Sequence, residues 1–88
     1  MFRLVVSPSF KKQLRNFLKR CPELREAVEN KFSILENNPR DSRLRTHKLA
    51  GKLKDLLAAS ITREYRIIFY FENKSIFLIA IGTHDEVY

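Results

Sequence analysis

The apolar positions change their spacing along the chain, and the changes mark the elements. Phe2, Leu4, Val5 and Val6 form a short, partly β-branched run that predicts a first strand over residues 2–6. From Phe10 the spacing becomes helical. Phe10, Leu14, Phe17, Leu18 and Cys21 share one face, while Lys11, Arg15 and Lys19 lie one turn apart on another. Ser7 then Pro8 supplies an N-cap and a proline at the first helical position. Pro22 opens a second helix. Glu23, Glu26 and Glu29 suit the positive end of its dipole, and Leu24, Val28, Phe32 and Leu35 form its apolar stripe. Asn37-Asn38-Pro39 ends it. Two short helices in succession predict a helical hairpin.

Residues 40–46 carry no apolar period and read as a loop. His47-Lys48-Leu49-Ala50-Gly51 leads into a second strand over residues 53–61. Thr62-Arg63-Glu64 is a turn, residues 65–71 a third strand, Glu72-Asn73-Lys74 a tight hairpin loop, and residues 75–81 a fourth strand. The order β-α-α-β-β-β predicts an α+β two-layer domain, a helical hairpin packed on a mainly antiparallel four-stranded sheet. The third and fourth strands are apolar at nearly every position, so both sheet faces are covered in part. Helices cover one face; the other forms a concave surface or meets a partner.

The 88 residues make one domain, 1–88, without repeats or a linker. The net charge is +7, which points to a polyanionic partner, and its distribution sharpens the point. Residues 1–22 carry Arg3, Lys11, Lys12, Arg15, Lys19 and Arg20 and no acid. Residues 40–54 carry Arg40, Arg43, Arg45, Lys48, Lys52 and Lys54 against Asp41 alone. Nucleic acid is favoured over anionic lipid on this layout. Cys21 is the single cysteine, which excludes an internal disulfide and a cysteine-built zinc site and fits a reducing compartment. The start of the chain lacks the apolar core of a signal peptide, and no apolar run approaches the roughly 20 residues of a membrane span. A soluble cytoplasmic protein with no membrane partner is expected.

Candidate chemistry gathers at the end of the fourth strand. Gly82-Thr83-His84-Asp85-Glu86-Val87-Tyr88 delivers a histidine, two carboxylates and a tyrosine to its rim, and the other histidine, His47, lies in the most basic stretch. RNA carries its own nucleophile, the 2′-hydroxyl. Its cleavage needs a base, an acid for the leaving oxygen, and positive charge on the phosphorane. Histidine suits both proton roles and arginine the third. His84 and His47 are the candidate acid and base, with their division open, and Arg66 the electrostatic stabiliser. Asp85 or Glu64 would orient an imidazole. Arg43, Arg45, Lys48, Lys52 and Lys54 would track the RNA backbone, and Tyr88 and Tyr65 would stack on bases. Two histidines and scattered carboxylates lack a metal-ligand spacing, so no metal or other cofactor is expected. Each residue also has an ordinary reading. His84 would then be a plain surface residue, Arg66 an outward solubility charge, Asp85 and Glu86 solvated charges, Tyr88 a fraying end, and Tyr70 and the phenylalanines core.

Three segments carry a family resemblance: Thr46-His47-Lys48-Leu49-Ala50-Gly51, Arg63-Glu64-Tyr65-Arg66-Ile67-Ile68-Phe69, and Ile81-Gly82-Thr83-His84-Asp85-Glu86-Val87-Tyr88. In order and spacing the chain resembles the RelE/ParE toxin superfamily of type II toxin–antitoxin modules, most closely its RelE and YafQ branch of messenger-RNA endonucleases. The resemblance implies cleavage of mRNA in the ribosomal decoding site, and a cognate antitoxin, encoded next door, that binds the toxin in a hetero-oligomer. By position His47 and His84 match the YafQ-like histidines, Arg66 the phosphate-binding arginine, and Tyr88 a C-terminal aromatic that positions a base or takes part in catalysis. The chain departs from the pattern at Leu57 and Ala59, where RelE carries lysines, at Ser60, where YafQ carries a histidine, and near Glu64, where YafQ has an aspartate. A ParE-like toxin acting on DNA gyrase without nuclease chemistry, and an inactive nucleic-acid-binding module, are the alternatives.

Overall fold

The computed structural model describes residues 1–49 and 55–87, with His84 and Glu86 described at the backbone alone. Lys52, Lys54 and Tyr88, among the expected site residues, lie outside the described residues, as does the start of the predicted second strand. Strand β1 (Arg3–Val6) is followed by helix α1 (Pro8–Arg20), a 3-10 turn (Pro22–Leu24) and helix α2 (Arg25–Asn37). A second 3-10 turn (Ser42–Leu44) precedes β2 (His47–Lys48), β3 (Leu57–Ser60), β4 (Tyr65–Glu72), β5 (Ser75–Thr83) and a closing helical turn, α3 (His84–Val87). No helix among the described residues is long and apolar enough to cross a membrane.

The α+β architecture is as expected, but the sheet has five strands, not four, in the order β1-β5-β4-β3-β2. The additional strand is β2, whose His47 and Lys48 pair with Ala58 and Leu57. Two polar residues leave no alternation to read, so only the pairing reveals it. β1 runs parallel to β5 and every other neighbour pair is antiparallel. β4 and β5 are joined by a two-residue turn with Asn73 at φ 55°, a left-handed position that asparagine tolerates.

Helix α1 begins where Ser7 Oγ accepts the Phe10 amide at 3.0 Å, with Pro8 just inside. Phe10 and Phe17 are fully buried under it. Pro22 opens a 3-10 turn rather than the α-helix itself. α2 then buries Val28, Ile34 and Leu35, while Phe32 and Leu24 pack at the margin. Ile34, absent from the predicted stripe, is core because the helix faces both the sheet and the following 3-10 turn, whose Leu44 is fully buried.

The sheet separates two apolar clusters. Ile67, Phe69, Ile76, Leu78 and Ile81 join the helices in the main core. On the opposite face Ala58, Ile68 and Leu49 form a smaller cluster with Leu56, Ala80 and Val87. The chain itself thus covers part of the face left open by the helices. Val87 comes from α3 and Leu49 from the residue after β2, so this cluster ties both segments to the sheet.

A β-bulge makes the two-sided burial possible. Ile68 pairs with Ala80 but Phe69 with Leu78, which leaves Ile79 as the extra residue, 40% exposed. Beyond it the strand's parity is inverted. Leu78 and Ile81 both reach the main core, whereas Ala80 faces away from it.

Candidate nucleic-acid interface and active site

Opposed residues of adjacent strands share a face. His47, Ala58, Ile68 and Ala80 form one transverse row on the face away from the helices, and Ser60, Arg66 and Gly82 form another two residues further along. His84 starts α3 two residues beyond Gly82. His47, Arg66 and the His84 turn therefore meet at one end of the sheet. Three strand spacings separate β2 from β5, so the backbones of the two histidines lie roughly 14 Å apart laterally.

A groove of about 540 Å³ opens at this end. His47, Arg66, Lys31, Arg43, Arg45 and Arg63 line it, and among the described residues no carboxylate does. Converging like charge of this kind concentrates anions. Local structure holds several of these groups. Asp41 caps the 3-10 turn by accepting the Arg43 amide at 2.9 Å and grips the same residue's guanidinium at 3.0 Å (Nε) and 2.9 Å (Nη2). The guanidinium bonds hold the Asp41 carboxyl down at about 2. Lys31 Nζ donates to the Arg43 carbonyl at 3.2 Å. Arg45 sits in the left-handed region at φ 51°, an uncommon conformation for a side chain other than glycine, and turns the chain into β2. Thr46 Oγ1 secures that turn by donating to the Pro39 carbonyl at 2.9 Å.

The His47 ring is oriented. Its Nδ1 lies 3.3 Å from the Arg45 carbonyl, and a carbonyl only accepts. Nδ1 therefore carries the proton in this contact, and in the neutral ring Nε2 is the basic nitrogen. Arg66 is held more tightly. Its Nη1 donates to the carbonyls of Thr62 and Arg63 at 2.8 Å each and of Tyr65 at 3.2 Å. The guanidinium clamps the β3–β4 turn while lining the groove, and three of its five N–H bonds lie on Nε and Nη2, outside these contacts.

The family model for YafQ, a bacterial toxin of a type II toxin–antitoxin system, matches residues 2–88. The chain belongs to the YafQ toxin family. A sequence comparison with curated proteins returns no significant match. Among solved structures, this YafQ-family chain is similar to a copper-bound mutant toxin from Helicobacter pylori, at TM-score 0.84 and 21% identity over 100% of both chains. It is similar to YafQ from Escherichia coli at TM-score 0.83 and 19% identity, over 100% of this chain and 99% of that one. The toxin in the E. coli DinJ–YafQ complex gives TM-score 0.82 and 19% identity, with the same coverage. At these identities the likeness establishes the fold.

The YafQ-family fold distributes the expected site residues unevenly. His47, Arg66, Arg43 and Arg45 line the groove together. Lys48 is exposed beside His47 but pairs with Leu57, which places it on the helix-side face, away from the groove. Tyr65 also turns to the helix side. Its ring meets Phe17 edge-on at 5.1 Å between centroids, and its hydroxyl accepts from Cys21 Sγ at 3.6 Å, a contact that raises the phenol's pKa. Glu64 is exposed in the β3–β4 turn, and Asp85 is exposed in α3; neither lines the groove. Lys31 and Arg63 line it without having been singled out in the sequence. Arg63 opens the matching Arg63-Glu64-Tyr65-Arg66 segment, so its place in the motif was a usable signal; Lys31, on α2, offered none. Among the described residues, no group of three or more His, Cys, Asp and Glu is placed to hold a metal ion.

Proposed function

We propose that this YafQ-family toxin is a metal-independent endoribonuclease that cleaves mRNA on the ribosome and so inhibits translation. The observation that carries the reading is the groove lined by five cationic side chains with an oriented imidazole in its wall. One histidine removes the 2′-hydroxyl proton, and the 2′-oxygen attacks phosphorus. The other histidine protonates the departing 5′-oxygen, leaving a 2′,3′-cyclic phosphate and a 5′-hydroxyl. His47, with its basic Nε2, is the base in this reading and His84, presented by α3, the acid. Arg66 stabilises the phosphorane. Its Nη1 bonds pre-position the guanidinium, and removing one such donor typically costs about 3–4 kcal/mol of barrier lowering. Lys31, Arg43, Arg45 and Arg63 hold flanking phosphates. Tyr88 is the proposed base-stacking group.

The proposed partners are the ribosome with its mRNA and a cognate antitoxin. E. coli YafQ has been captured with DinJ as a toxin–antitoxin complex. A hetero-oligomer of the same kind is proposed here, with acidic antitoxin segments covering the cationic groove.

Primer extension on mRNA after brief induction tests the reading. Wild type should give discrete cuts. His84→Ala and His47→Ala should each remain folded and lose on the order of 10²-fold or more in single-turnover cleavage. Wild-type cleavage by His84→Ala would remove that residue from the mechanism. Growth arrest by the double variant, with intact mRNA and damaged DNA, would favour a gyrase-directed toxin instead.

A further inference from the structure

On β5 the pairing changes sides at the bulge. β1 pairs with it from Ser75 to Leu78 and then ends at Val6, where the chain turns into α1. From Ile79 onward the β1 side of β5 would present main-chain groups without a strand to meet them. One side chain of α1 takes over there. Gln13 Nε2 donates to the Ile79 carbonyl at 3.3 Å, and Gln13 Oε1 accepts from the Ile81 amide at 3.3 Å. A carbonyl only accepts and an amide N–H only donates, so these two contacts fix the orientation of the carboxamide. It behaves as a single peptide unit that continues the β1 ladder past the end of β1. Its two bonds straddle Ala80, at the point where the bulge inverts the strand's parity.

That inversion decides which face the end of β5 offers. With it, Gly82 lies opposite Arg66 on the face of the cationic groove, and α3 starts two residues later. A slip of one residue would exchange the faces of Ala80 and Ile81, turning Ile81 out of the main core. We infer that Gln13 is a positioning residue: its carboxamide locks the β5 bulge and thereby sets where the His84 turn stands relative to Arg66 and His47. The catalytic part of this inference rests on the proposed nuclease reading; the locking part does not.

Gln13→Met keeps the length of the side chain and removes both bonds. Gln13→Glu keeps the acceptor, but its ionised form repels the Ile79 carbonyl. Protonated, it again offers one donor and one acceptor. The full chain is followed by amide hydrogen exchange and by single-turnover cleavage of ribosome-bound mRNA. In Gln13→Met, exchange at Ile81 should rise roughly ten-fold, above any change at core amides such as Ile67 and Ile76. Cleavage at saturation should fall by about 10–100-fold, with half-saturation changed less than about two-fold, because the groove's phosphate contacts stay in place. In Gln13→Glu, the ratio of variant to wild-type rate should climb as pH falls through the carboxyl's titration, and Ile81 protection should return in the same range. Unchanged Ile81 exchange in both variants would overturn the lock. Raised exchange with wild-type cleavage would overturn the positioning role. If the wild type does not cleave, the nuclease reading fails, and the Ile81 exchange with the amide shifts of residues 82–85 still decides whether Gln13 fixes this end of the strand.

Discussion

Ile67 and Ile68 are consecutive in β4, are both almost wholly buried, and report on opposite faces of the sheet. Truncation to alanine removes three carbons from either, a transfer loss of about 2.4 kcal/mol at roughly 0.8 kcal/mol per carbon. The cavity left behind separates them. Around Ile67 stand Phe69, Phe17 and the other members of a core roofed by two helices, so the void persists and the total should reach about 3.5–5 kcal/mol. Ile68 lies in a small cluster with Ala58, Leu49, Ala80 and Val87, whose rim can close in or admit water, so about 2–3 kcal/mol is expected. A domain of 88 residues has roughly 4–13 kcal/mol in hand, so Ile68→Ala should stay folded. Urea unfolding at fixed m-value measures both losses. Cleavage by Ile68→Ala should fall further than its folded fraction, because Leu49 and Val87 anchor the segments that carry His47 and His84. A cost under about 1 kcal/mol, or one equal to that of Ile67→Ala, would refute the claim that a second, smaller core holds the two segments.

Tyr65→Phe should leave cleavage within about two-fold, since the ring faces Phe17 and Cys21; a ten-fold loss would place it among the RNA contacts. Asp41 has a folded-state pKa of about 2, below its unfolded value near 3.9, so its contribution to stability is present above about pH 4 and fades as pH falls through about 2. Urea midpoints of wild type and Asp41→Asn should therefore converge between pH 5 and pH 2, and a constant gap would contradict the Arg43 contact as its source. Arg45→Gly relieves a left-handed arginine and should stabilise the fold by up to about 1 kcal/mol. The same change should weaken single-stranded RNA binding and reduce the slope of log affinity against log salt by about 0.7; an unchanged slope would remove Arg45 from the phosphate contacts.

Elements with a strong period were legible in the sequence. Ser7-Pro8 with the phenylalanine stripe marks the start and inner face of α1, and the branched, aromatic run from Tyr65 marks β4. Elements that exist only through pairing were not. β2 is two polar residues held by β3, and α3 is a four-residue turn whose docking depends on Val87 reaching Ile68. The β5 bulge hides inside an unbroken apolar run, because Ile79, Ala80 and Ile81 look alike to any reading that counts hydrophobic residues. Within the site, His47, Arg43, Arg45 and Arg66 were legible as a cationic set with an imidazole. Which face a side chain takes was not: Tyr65 and Arg66 are neighbours that point opposite ways, and Lys31 arrives from a helix far away in sequence. Gln13 did leave a trace, a polar residue set between Phe10, Leu14 and Phe17 on the otherwise apolar side of α1.

The parallel pairing of β1 with β5 has a consequence for the life of the chain during its own synthesis. β5 is an interior strand, flanked by β1 on one side and β4 on the other, and it follows the other described strands in the chain. Until residues 75–83 have left the ribosome, the first strand has no neighbour and the helices have no finished floor to settle on. Contacts this distant along the chain make assembly slow once it starts. At roughly 5–20 residues per second, seconds pass in which the nascent polypeptide is exposed and unarmed. That interval is an opportunity for a binding partner made at the same time to reach the chain before its sheet has closed.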